Sequence, residues 1–264
     1  MAPKQNKKSK ARRNTKQPEG GRLWRGVLMV VVMAGLGTLG TLGWQWLTNL
    51  PCERIELAGL QHADSTALME LARVDTAMLL IDIDPAMVAD RVRRHPWVRT
   101  ARATRFPTGT LRISVQERIP MMLVMDPRGR PAHYLDRAGF AMPLAAGAVY
   151  DVPLLRGLSE RYHPVRRLQD ARVRALLALF ATLDAEMDAL VSELELKSTG
   201  VHLYTTPVGT RGSLEVQLGR DGFAEKLKRL RAFWHQAVLP QPDKRFHVID
   251  LRFDGQIVTR DARE

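Results

Sequence analysis

The chain has 264 residues and a formal net charge of +12, from 40 Lys and Arg residues against 28 Asp and Glu residues. Residues 1–25 hold nine of the basic residues and one acidic residue, which leaves 31 against 27, or +4, for the rest of the chain. So small an excess excludes the broad basic surface of a nucleic-acid-binding protein. The single cysteine excludes an intrachain disulfide.

The first element is an apolar stretch, with no Lys, Arg, Asp or Glu from residue 26 to residue 52. About 20 mostly apolar residues suffice for a helix to cross a bilayer core of roughly 30 Å, so we predict a transmembrane helix over residues 26–48. Because flanking Lys and Arg stay on the cytoplasmic side, residues 1–25 are predicted to be a cytoplasmic tail and residues 53–264 to lie outside the inner membrane. A cleaved signal peptide fits less well, since its apolar core is shorter and no A-x-A site precedes the folded region.

Residues 53–125 are predicted to form one domain with the order β-α-α-β-β. A short strand ends at Gly59, and Asp64 and Asp84 are N-cap signals for two helices, the second with Pro85 at its first position. Two strands separated by a turn follow, and the second alternates apolar and polar residues over 111–116.

These residues resemble the POTRA domain of the FtsQ/DivIB family of bacterial division proteins. The resemblance rests on an apolar strand before a glycine, an aromatic–proline pair before the last strand, and E-x-x-P after it. The matching segments are Ile55-x-Leu57-x-Gly59, Pro96-Trp97-Val98 and Arg105-Phe106-Pro107-x-x-x-Leu111-x-Ile113-x-Val115-x-Glu117-x-x-Pro120. We interpret most of these positions as core and turn residues.

Residues 126–264 are predicted to form a second domain, a mixed β-sheet with two helices, so the expected fold class is α+β. Apolar residues at helical spacing predict one helix from about Val165 to Met187 and another that begins near Asp221. Alternating stretches predict strands, and Asp254-Gly255 between the last two predicts a tight hairpin that ends in a strand over residues 256–260.

The end of this second domain is also similar to the family. Asp250-Leu251-Arg252-Phe253 resembles a D-L-R-Y ending, although the turn that follows is shorter than usual and Arg260 stands near a position where many members have Trp.

Motifs of cell-wall enzymes are absent from the sequence. No Ser is followed three residues later by Lys, as a penicillin-binding acyltransferase requires, and neither H-E-x-x-H nor G-x-S-x-G occurs. The seven His residues are scattered, without a pair at i, i+4. We therefore expect no enzyme activity, no metal and no cofactor.

The resemblance implies a scaffold of the cell-division machinery at the septum, with FtsB and FtsL as partners. A terminal strand leaves one row of backbone groups unpaired, so we predict partner binding by β-augmentation. Arg252 is expected to meet a partner carboxylate and Phe253 to be a buried anchor. The predicted site residues are Arg252, Phe253, Gly255, Gln256, Ile257, Val258, Thr259 and Arg260. The alternatives are a POTRA-containing accessory of secretion or outer-membrane protein assembly, and a membrane-anchored cell-wall enzyme.

Overall fold

The computed structural model describes residues 20–145, 147–207, 212–241, 244 and 246–261, so most of the predicted cytoplasmic tail lies outside the described residues. The chain divides into two compact units between Leu50 and Pro51. The first unit contains helix α1, Gly20–Thr48, which begins six residues before the predicted start at residue 26.

From Trp24 to Leu47, helix α1 has no buried face. Its large apolar side chains are exposed, from 42% for Leu47 to 72% for Trp24. The segment Trp24–Thr48 is the one helix among the described residues that is long and apolar enough to cross a membrane, with a mean hydropathy of 1.9. A helix that is apolar all round and unburied is suited to lipid rather than to water.

The second unit begins with a three-stranded sheet and two helices, which pack against each other, the second of them also against the sheet. Its elements are β1 (Arg54–Ala58), α2 (Ser65–Ala72), α3 (Pro85–Val92), β2 (Val98–Phe106) and β3 (Thr110–Glu117). The strand order is β1-β3-β2, with β1 parallel and β2 antiparallel to β3. This confirms the predicted β-α-α-β-β order.

Local chemistry accounts for these elements. The Asp64 carboxylate accepts the backbone N–H of Thr66 at the start of α2, and Asp84 caps α3 in the same way. Gly59 ends β1 with a φ of +86°, and a Cβ there would lie 2.2 Å from the carbonyl oxygen of Val115. Only glycine therefore fits this position.

A nine-stranded mixed sheet follows, in the order β12-β11-β10-β9-β8-β7-β4-β5-β6. Its strands are β4 (Pro120–Met125), β5 (Pro131–Asp136), β6 (Ala141–Pro143), β7 (Leu154–Arg156), β8 (Val191–Lys197), β9 (Gly200–Thr205), β10 (Glu215–Gly219), β11 (Phe246–Asp250) and β12 (Val258–Asp261). Strand β4 pairs with β5 and β7. The chain therefore passes from one sheet to the other between Glu117 and Pro120, before the domain boundary expected at residue 125.

The helices of this part are α4 (Ala171–Phe180), α5 (Ala185–Leu190) and α6 (Phe223–Phe233), and α6 continues as a π-helical turn, Trp234–Val238. The prediction of one helix over residues 165–187 is wrong. Asp170 caps the start of α4, and Asp184 caps the start of α5. The second cap divides the segment into two helices, although its apolar spacing is continuous.

The helices and the inward positions of the strands form one apolar core. Its fully buried members include Leu176, Leu177, Leu194, Leu203, Leu218, Leu230 and Ile249. The α+β class, with a POTRA-type domain followed by a mixed sheet, is confirmed.

Candidate partner-binding edge of the large sheet

Strand β12 forms one end of the nine-stranded sheet. It is antiparallel to β11, with Ile249 opposite Thr259 and Asp250 opposite Val258. Among the strands that the structure describes, β12 has no neighbour on its other side. Its outer side therefore presents unpaired N–H and C=O groups, which another strand is able to pair with.

The direction of the backbone groups follows from one hydrogen bond. The N–H of Leu251 donates to the carbonyl of Gln217 in β10 at 3.0 Å. Since successive residues of a strand turn their backbone groups to opposite sides, Asp250 turns its groups to β12 and bonds with the opposing Val258. The next residue, Thr259, is left with its N–H and C=O on the open side.

The loop before β12 is longer than the sequence suggests. Strand β11 ends at Asp250 and β12 begins at Val258, so seven residues connect them in place of a two-residue Asp254-Gly255 turn. Gly255 still supplies a turn, with a φ of +70°.

Arg252 lies in this loop and is already paired. Its guanidinium donates to the carboxylate of Asp250, with Nη2 2.6 Å from Oδ2 and Nε 2.9 Å from Oδ1. These hydrogen bonds lower the pKa of the Asp250 carboxyl and raise that of Arg252. Arg252, which the sequence predicts to meet a partner carboxylate, is therefore paired with a carboxylate of its own chain.

Phe253 is held at the surface with half of its side chain exposed. The guanidinium of Arg229, on α6, donates to the carbonyl oxygen of Phe253 at 2.9 Å and to that of Leu251 at 3.4 Å. The aromatic ring is thus presented by a backbone that is tied to the body of the domain. Sequence reasoning missed the role of Arg229, because only the tertiary structure brings α6 beside this loop.

The other predicted site residues have different environments. Gly255, Gln256, Val258 and Arg260 are exposed, and Thr259 is half-buried. Ile257 packs against the core. Gln256 and Ile257 precede β12, so they are not strand residues as predicted.

The sheet face opposite the helices carries a polar network that sequence reasoning also missed. The ring nitrogen Nδ1 of His202 lies 2.6 Å from Oε1 of Glu215. The Tyr204 hydroxyl donates to Glu195 at 3.0 Å and accepts from Lys197 at 3.1 Å. These pairings raise the pKa of Lys197. The charges on this face of β8, β9 and β10 are thus largely paired with one another. The alternation of polar and apolar residues along these three strands is the sequence signal that could have indicated them.

The described residues contain no group of three or more His, Cys, Asp or Glu side chains arranged to hold a metal ion. The end of the large sheet at β12 thus combines an open backbone edge with the exposed aromatic ring of Phe253.

Comparison with known proteins identifies the family. Residues 50–118 match the family described as the POTRA domain, FtsQ-type, and residues 119–260 match FtsQ/DivIB, C-terminal related. The cell division protein FtsQ of Rhodothermus marinus is 49% identical over 237 residues, which covers 89% of this chain and 87% of that protein.

Two further relatives have the same name. Cell division protein FtsQ of Salinibacter ruber is 45% identical over 234 residues, covering 87% of this chain and 90% of that protein. Cell division protein FtsQ of Geobacter sp. is 28% identical over 234 residues, which covers 84% of this chain and 82% of that protein. The chain therefore belongs to the FtsQ/DivIB family of cell division proteins, as a membrane-anchored member that joins a POTRA domain to the family's C-terminal domain.

Proposed function

We propose that this chain is a non-catalytic scaffold of the division machinery that binds FtsB and FtsL by β-augmentation at strand β12. The observation that carries the proposal is the open outer side of β12, where Thr259 directs its N–H and C=O away from the sheet. An added strand pairs with these groups and gains affinity from them, whereas side-chain contacts supply specificity.

The side chains around the edge support this function. Phe253 is half exposed and Val258 is 41% exposed, so a docked chain removes apolar surface from water at both positions. Arg260 is exposed on the same strand. Because Arg252 is held by Asp250, Arg260 is the cation of this edge that we assign to a partner carboxylate.

We also propose the topology and the division into domains. Residues 1–25 are the cytoplasmic tail, residues 26–48 cross the inner membrane, and, with the boundary moved to the start of the large sheet, residues 53–118 and 119–264 are the periplasmic POTRA and partner-binding domains. The basic tail supports this orientation, since Lys and Arg flanking a first span remain in the cytoplasm. We expect the protein at the division septum. Reporter fusions at the C-terminus test the orientation directly.

Site-specific photo-crosslinking in cells tests partner binding. A photoreactive amino acid replaces Thr259, and the matched control carries it at Arg128, an exposed residue in the turn between β4 and β5. Adducts with FtsB and FtsL from position 259, and none from position 128, are the expected result. Equal adducts from both positions, or adducts with outer-membrane assembly factors, contradict the proposal and favour an accessory of the assembly machinery.

A further inference from the structure

The POTRA domain exposes a short apolar turn. Met78 is 39% exposed, Leu79 36% and Ile81 44%, all within four residues of the chain. We name residues 78–81 the apolar turn. A water-facing turn in a small domain ordinarily carries polar residues, and a contiguous exposed apolar group marks a contact surface.

The apolar turn is fixed in place. Leu80 and Ile83 are buried, so the segment is anchored in the domain core while its neighbours face outward. The guanidinium of Arg105 donates to the carbonyl oxygen of Ile81 at 2.9 Å and also lies 3.5 Å from that of Leu80. The exposed side chains are therefore presented on a rigid support.

The turn is hydrogen-bonded to the first residues of the second unit. The N–H of Cys52 donates to the carbonyl of Met78 at 2.9 Å, and Pro51 and Leu79 form an isolated antiparallel bridge. Along the chain, three residues separate Cys52 from Thr48, the last residue of α1. Four residue steps of extended chain reach about 14 Å at most, so chain length alone keeps the apolar turn close to the end of the membrane span.

The charges around the turn indicate how it meets a bilayer. Asp75 and Asp82 are exposed, as is Glu53, whereas Arg105 and Arg54 supply the nearby basic groups. This balance offers no attraction to anionic headgroups. Apolar side chains whose neighbouring residues carry little net charge partition instead into the boundary between headgroups and acyl chains.

We infer that the apolar turn is a membrane contact, with Met78, Leu79 and Ile81 inserted at the headgroup–acyl boundary. The contact holds the POTRA domain against the bilayer surface. It depends on anchoring through α1 and is independent of the partner that binds β12.

A depth measurement on the full chain tests this inference. The protein is reconstituted in phosphatidylcholine nanodiscs with a nitroxide on Ile81→Cys, and the control carries the label on Val165→Cys. Val165 is 51% exposed and lies in the larger domain. The native Cys52 is fully buried and burial raises the pKa of its thiol, so the label reacts at the introduced cysteine. Electron spin resonance then compares access of oxygen, which concentrates in lipid, with access of a water-soluble nickel chelate.

The label at residue 81 is expected to be more accessible to oxygen than to the chelate, and the label at residue 165 to show the reverse. A label at Met78→Cys repeats the measurement at a second position. Chelate access at residues 81 and 78 equal to that at 165 overturns the inference. So does protection from both reagents, which indicates burial against protein in discs that contain only this chain.

Discussion

The guanidinium of Arg252 donates to the carboxylate of Asp250, two residues earlier in the chain, with Nη2 2.6 Å from Oδ2. The Asp250 side chain is 10% exposed and that of Arg252 is 37% exposed. The pair therefore stabilises the loop that leads to the open edge. We expect the partner site to be altered indirectly when this pair is broken.

Arg252→Ala should lower the free energy of unfolding at pH 7 by about 1 kcal/mol, because a mostly buried carboxylate loses a charge-assisted bond that is partly screened by water. The pKa of Asp250 is lowered in the folded state, so its contribution is present above the usual carboxyl pKa and is lost as the pH falls through the lowered value. Urea unfolding of the full chain in detergent, at pH 7 and at acid pH, measures both effects. Arg128→Ala, at an exposed turn, is the control, and equal losses in the two variants would refute the role of the pair.

Phe253→Ala should weaken binding of FtsB by about 2 kcal/mol, or roughly 30-fold, if the ring is an anchor of the added strand. Folding should be unaffected, because the side chain is half exposed in the free protein. Titration of the purified full chain with an FtsB peptide measures the affinity. Val165→Ala removes a similarly exposed apolar side chain elsewhere and serves as the control. Wild-type affinity in a folded Phe253→Ala variant removes this residue from the site.

Thr259→Pro should abolish strand addition while leaving the domain folded. The N–H of Thr259 faces the open side, so proline deletes a donor to the partner and none to β11. Thr259→Val retains the N–H and the shape of the side chain, and it should bind normally. Arg260→Pro removes a bond within the sheet, so this variant should lose stability as well as binding. Binding titrations with parallel unfolding curves separate these effects, and normal binding by Thr259→Pro would exclude β-augmentation at this edge.

Asp136→Ala should cost about 3 kcal/mol of unfolding free energy, because it leaves the Arg118 guanidinium without its counter-charge. The side chain of Asp136 is 7% exposed and that of Arg118 is 12% exposed, and Nη1 of Arg118 lies 2.6 Å from Oδ2 of Asp136. Asp126 provides a matched control, since it occupies the same place in a turn of the same kind but pairs with an exposed arginine. Asp126→Ala should lower the unfolding free energy by clearly less than Asp136→Ala does, because water screens an exposed pair. Denaturant unfolding that gives equal values would contradict a stabilising role of the buried pair.

The stability of the POTRA domain should decline in acid through Glu117. Its carboxylate accepts the backbone N–H groups of Gln61, His62 and Ala63 at 2.9 to 3.1 Å. Burial opposes ionisation, but these hydrogen bonds outweigh it and hold the pKa below its ordinary value of 4.5. The contribution is therefore complete above pH 4.5 and is lost as the pH falls through the lowered pKa.

Glu117→Gln should lose about 2 kcal/mol at pH 7, because a neutral amide replaces an ionised acceptor. Its unfolding free energy should also vary less with pH in the acid range than that of the wild type. Glu53→Gln, at an exposed glutamate, controls for charge alone. Parallel pH profiles for the wild type and Glu117→Gln would show that another carboxyl causes the acid dependence.

The sequence by itself determined what depends on neighbours along the chain. The apolar helix, the capping carboxylates Asp64 and Asp84, and the alternation in β3 are local patterns with a period of 3.6 or 2 residues, so they indicate their structure without any knowledge of packing. The E-x-x-P motif was also visible, but its structural role was not. Glu117 binds backbone groups that lie more than 50 residues earlier, and no local pattern reports such a contact.

The tertiary structure alone decided the features that depend on distant segments. The register of β11 with β10 and β12 turned the backbone of Thr259 outward. Arg252, expected to meet a partner carboxylate, is paired with Asp250 in the folded chain. Which backbone groups remain unpaired is fixed by strand register across the sheet, and register is set by packing between residues far apart in the chain.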